Sequence, residues 1–135
     1  MNVVYLYTGD DGRSHFADLR IPQAGGRSGI VSSLIPVDGL IFRETTTADT
    51  GGQQVHNAPY RQFIAILRGV VDVEVGDGTK CRLNAGDVLL ADDVNGEGHV
   101  TREVEGPRES LMIRFPGDFD LTQWGAPAVP QSQGP

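Results

Sequence analysis

The chain has a single cysteine, Cys81, among 135 residues. One thiol cannot close an internal disulfide or build a multi-thiolate centre, which excludes zinc fingers, iron–sulfur clusters and disulfide-stapled secreted scaffolds; a reducing compartment fits. Positive charge is scarce too, with 11 Lys and Arg against 18 Asp and Glu for a net charge of −7. With no basic stripe to offset that balance a phosphate backbone is repelled, and no nucleic-acid partner is expected. No apolar run approaches the length of a bilayer span. Residues 1–15, MNVVYLYTGDDGRSH, have neither a basic flank nor a small-residue cleavage site. No signal peptide and no membrane partner are expected, and the protein reads as soluble and cytoplasmic.

Uninterrupted helix-length segments are missing as well, because 18 glycines and 8 prolines are spread through the chain. The pieces between them suit strands, so the expected class is all-β: a sandwich, jelly roll or barrel. Around Gly76-Asp77-Gly78 the Asp-Gly signal joins two strand-like runs as a hairpin. In its first arm Val71, Val73 and Val75 alternate with Asp72 and Glu74, which sends valines to a core and carboxylates to water. Residues 62–67 are apolar on both parities after Gln62 and read as a central strand covered on both faces. Further strands are expected at 3–8, 15–21, 30–35, 40–46, 87–92, 98–104 and 110–115. The length suits one domain, placed at 1–118, with 119–135 as a partly mobile tail. Trp124 is the exception in that tail, since an indole there needs a docking surface on its own domain or on a partner subunit.

Histidine is also rare, with three in all. His56 precedes the central strand and Gly69 closes it, while Gly86 opens a later strand and His99 follows Gly96-Glu97-Gly98. This pattern resembles the cupin superfamily over about residues 40–115. The resemblance implies a double-stranded β-helix, or jelly-roll barrel, with an interior metal site. His56 stands at the first histidine position of its first motif, Ala58 at the second, Gln62 at the glutamate and Gly69 at the final glycine; Gly86 and His99 match the second motif. The second histidine is thus an alanine, the acidic ligand an amide, and Glu103 replaces the motif's terminal asparagine. Asp11-Gly12-Arg13-Ser14-His15 is similar to a stretch found in a subset of small bacterial cupins, some of which act on secondary metabolites and resemble metal-dependent polyketide cyclases.

Strand alternation puts Gln62, Ile64 and Ile66 on one face, an amide on an apolar wall. Imidazole nitrogens and an amide oxygen are acceptable ligands for zinc, nickel or iron. The expected metal set is therefore His56, Gln62 and His99, with His15 as a possible further ligand. Glu44 and Glu97 are candidate bases, and Arg61 is a candidate clamp for an anionic substrate. The leading expectation is an enzyme that binds a small organic substrate and uses a divalent metal for proton transfer, cyclisation or isomerisation. An iron-dependent dioxygenase and a metal-free small-molecule binding protein stay open beside it. A homodimer is expected because small barrels leave sheet edges to cover, with the amino-terminal strand and Trp124 as contributors.

Overall fold

A computed structural model describes residues 1–45 and 54–127 of the chain. The sequence builds β1 (Asn2–Thr8), β2 (Ser14–Arg20), β3 (Ala24–Gly26), β4 (Gly29–Val31), β5 (Gly39–Glu44), β6 (Gln62–Val75), β7 (Lys80–Leu83), β8 (Val88–Asp92) and β9 (His99–Arg114). A short 3-10 helix, Leu121–Trp124, follows. The all-β expectation holds: among the described residues there is no α-helix.

Seven strands form one mixed sheet in the order β2-β1-β8-β6-β9-β5, with β7 on the far half of β6. Among the described residues only β1 and β8 pair in parallel. Two pairs of expected strands fuse. Residues 62–67 and 71–75 become the single strand β6, and 98–104 and 110–115 become β9, because the two long strands pair along almost their whole length. Gly69, which read as a strand end, sits instead among register shifts between Ile66 and Val71. At this bend Gly69 has φ +91°, and a Cβ there would lie 2.8 Å from the Glu105 carbonyl oxygen. Glycine therefore lets the ribbon bend without breaking.

The bend folds the sheet onto itself. Leu6 of β1 and Leu89 and Ala91 of β8 share a core cluster with Val71, Val73 and Val75 from the second half of β6. Those three valines are at most 5% exposed, while Asp72 and Glu74 on the opposite parity form ion pairs with Arg82 and Arg102. The hairpin reading is confirmed by pairing from Val71↔Leu83 to Glu74↔Lys80.

A second cluster lies on the outer face of the first half of the sheet: Val3, Tyr5, Leu19, Leu90 and Phe115, with Leu121 and Ala126 from the carboxy-terminal segment. Trp124 is half-buried there beside Phe63, Phe115 and Phe119. Its docking surface is its own domain, and β1 is an interior strand between β2 and β8 and not a sheet edge. Residues 119–127, read from sequence as tail, pack on the sheet or run beside it, and 128–135 lie outside the described residues. The strand expected at 30–35 shrinks to β4, exposed along its length in a two-stranded hairpin with β3, because neither of its faces is covered. Thr46, the end of the strand expected at 40–46, lies outside the described residues.

Candidate functional site

Between the two halves of the folded sheet lies a cavity of about 380 Å³. Its wall is apolar, from Ile64, Ile66, Val71, Val73, Leu83 and Leu89. Into it come His56, Gln62, His99, Thr101, Arg43 and Arg108. A concave apolar chamber with a few convergent polar groups is the usual form of a small-molecule site.

The two histidines meet through backbone. His56 and His99 exchange both N–H···O bonds at 2.9 Å as an isolated antiparallel bridge. Their rings follow, 4.6 Å apart and edge to face. Gly98 makes this approach possible, because its φ is +86° and a Cβ there would stand 2.5 Å from the His56 carbonyl oxygen. His56 is exposed at the rim, whereas His99 is 6% exposed.

His99 is held by a carboxylate that no sequence motif pointed to. Its Nδ1 lies 2.6 Å from Oδ2 of Asp93, which is fully buried. An ionised carboxylate only accepts, so Nδ1 is the donor, and in the neutral imidazole Nε2 is then the nitrogen with the lone pair. Ser14 donates to the same oxygen at 2.7 Å. The serine is thus bound to the carboxylate and not to the imidazole, so the three do not form a nucleophilic triad. The Nδ1 of His56 donates to the Asn57 carbonyl at 3.1 Å, again freeing Nε2.

Among the described residues, several buried polar atoms have no hydrogen-bond partner: Gln62 Oε1 at the chamber wall, and Asp93 Oδ1 and Ser110 Oγ, which belong to residues beside or paired with lining residues. Each such atom costs about 1–3 kcal/mol unless something fills the bond. Ala58, at the position where the resemblance has a second histidine, is 3% exposed and packed in the inner cluster, so it supplies wall in place of a ligand. Glu103 is 5% exposed; it accepts from Thr45 Oγ1 at 2.9 Å and lies 3.3 Å from Nε of Arg108.

Of the residues singled out from sequence, His56, Gln62 and His99 converge on this chamber. The other four do not line it. His15 places Nε2 2.9 Å from both carboxylate oxygens of Asp11 and packs on Tyr7, its strand partner in the β1–β2 pair. Glu97 faces Arg13 at 3.4 Å, exposed. Glu44 is exposed on β5 opposite Glu109. Arg61 is committed on the outer face, where it grips Asp92 at 2.9 and 3.1 Å and donates to the carbonyls of Pro116 and Phe119.

The donor set bears on the metal expectation. Two imidazole Nε2 atoms and the amide oxygen of Gln62 are three neutral donors, one ligand and one negative charge short of the set the resemblance implies. Among the described residues no three of His, Cys, Asp and Glu gather where they could hold a metal ion.

Asp93, Arg43 and Ser110 escaped the sequence reading. A signal existed for the first: two adjacent aspartates end an apolar strand, so strand alternation must turn one of them inward. Searched against protein-family models, the chain matches none, and no curated protein matches it either.

Proposed function

We propose that the protein is a small cupin-like enzyme, its folded sheet a jelly-roll barrel, that binds a small organic molecule in the chamber and moves a proton on it. The pairing of buried Asp93 with His99 at the chamber wall carries this reading. His99 Nε2 accepts a proton from a carbon or oxygen acid, forming an imidazolium that the Asp93 carboxylate stabilises, and returns it at another position of the substrate. An enolate formed in this way is stabilised by the guanidinium of Arg43, which lines the same space. Isomerisation and cyclisation are both built from such a step.

A second reading, divalent-metal assistance, is favoured by Gln62 Oε1, buried without a partner beside two free imidazole lone pairs. His56, Gln62 and His99 would hold the ion, and it would supply Lewis-acid polarisation of a substrate oxygen.

One experiment separates the two. Phenylpyruvate, an acid with an exchangeable C–H next to its carbonyl, is incubated with the protein in D2O and deuterium uptake is followed by proton NMR. Acid–base catalysis gives uptake above the buffer blank, falling about 100-fold or more in His99→Ala and Asp93→Asn, and indifferent to EDTA. Metal assistance gives uptake that EDTA removes and zinc, nickel or ferrous iron restores. Binding without uptake by this or other C–H acids leaves the metal-free binding protein as the function.

We further propose a homodimer formed by β5. Among the described residues this edge strand pairs only with β9, and it leaves Leu40, Ile41 and Phe42 exposed at 52, 46 and 77%. Antiparallel pairing of two copies covers both the open edge and these side chains.

A further inference from the structure

The chamber's polar groups are not spread evenly over its wall. Gln62 opens β6 and is 3% exposed, with an amide oxygen that has no hydrogen-bond partner among the described residues. Arg43 and Ser110 sit as a cross-strand pair of β5 and β9. Ser110 is 1% exposed with its hydroxyl unpartnered, and it shares a strand face with Arg108 and Met112, both of which line the chamber. The charge on Arg108 is met by Glu103. Arg43, half-buried at the chamber wall, has no carboxylate partner among the described residues. A guanidinium never loses its proton, so the chamber holds a fixed positive charge at one place, with the Ser110 hydroxyl behind it on the same strand face, and an acceptor at another, with hydrocarbon wall between them.

Resting on the small-molecule reading above, we infer that the ligand is a hydroxy acid with an apolar body. Its carboxylate takes the guanidinium of Arg43 and the hydroxyl of Ser110, and its own hydroxyl donates to Gln62 Oε1. A neutral hydrocarbon would leave all three groups unsatisfied, and an acid without a hydroxyl would leave the amide oxygen bare. The chamber volume is near the lower end of the range for small-molecule pockets, which suits a single ring with short substituents.

Binding of closely matched probes tests this without relying on turnover. Calorimetry compares 4-hydroxyphenylacetate and its 3-hydroxy isomer, which carry both groups, with phenylacetate, which lacks the hydroxyl, and 2-(4-hydroxyphenyl)ethanol, which lacks the charge. The better hydroxy acid binds the native protein about tenfold or more tightly than either single-group probe. Gln62→Leu removes the preference over phenylacetate, and Arg43→Gln removes the preference over the alcohol. Equal affinities for all the probes in the native protein, or no binding by any, overturn the inference, and neither result depends on a variant that folds. Deuterium uptake with indifferent probe affinities overturns the ligand class alone. Selective binding without uptake by any C–H acid overturns the acid–base reading and leaves the ligand class standing.

Discussion

Asp92 and Asp93 are neighbours in the chain and serve opposite sides of the sheet. Asp93 turns inward to His99, while Asp92 turns outward to Arg61 and to the hydroxyl of Tyr5, which donates to it at 2.6 Å. Tyr5 is 2% exposed, and burial, with the Asp92 carboxylate beside it, pushes its hydroxyl far above the ordinary phenol range. The folded protein therefore keeps this proton at a pH where the unfolded chain has released it. Stability from the raised value is intact below about pH 10 and is lost as pH climbs above it, by about 1.4 kcal/mol per pH unit. Urea unfolding at pH 9 and pH 11 should show that loss in the native protein and a shallower one in Tyr5→Phe. Absorbance near 295 nm should show Tyr5 releasing its proton only on unfolding. Identical slopes for both proteins would show that the proton on Tyr5 is not linked to folding.

At the level of elements, the site depends on a bridge between the segment before β6 and the start of β9. That bridge holds because Gly98 combines a left-handed backbone with contact to the His56 carbonyl. Any side chain there must strain φ and push His56 away. Gly98→Ala should cost about 2 kcal/mol or more in chemical denaturation and should abolish the ring–ring contact between His56 and His99 seen by NMR. Gly117→Ala, where a Cβ meets nothing within 4 Å, should be near neutral. Equal behaviour of the two variants would mean that the bridge does not position the histidines. The fused strands carry a related lesson. The halves of β6 and β9 were expected as separate strands, and Gly69 read as an end. A bulged ladder keeps both strands paired past that residue, and no local signal reports a partner more than thirty residues away.

For the molecule as a whole, the exposed faces predict its association state. Trp124 is consumed by its own domain, so the carboxy-terminal segment covers the outer cluster of one chain and leaves β5 as the apolar edge. Light scattering at micromolar concentration should give twice the 14.5 kDa chain mass. A charge placed at the most exposed apolar side chain of β5, Phe42→Lys, should return the mass to that of one chain without changing the circular dichroism. A monomeric native protein would remove the β5 contact. A net charge of −7 then works against non-specific aggregation, leaving specific edge pairing as the route to association.

By itself the sequence determined the strand class, the hairpin at Gly76-Asp77-Gly78, the inward valines of β6 and the convergence of His56, Gln62 and His99. These are matters of period and of turn chemistry, which act over a few residues, or of spacing that resembles a known motif. Only tertiary structure decided which carboxylate backs His99, that Arg61 fastens the carboxy-terminal segment outside the chamber, and that His15 stays with Asp11. A charged side chain goes to whichever partner the fold brings within about 3 Å, and for Asp93 with Ser14 that partner lies 79 residues away in the chain. Periodicity can say that one of two aspartates must face inward. Only the packed sheet says that a histidine is waiting there.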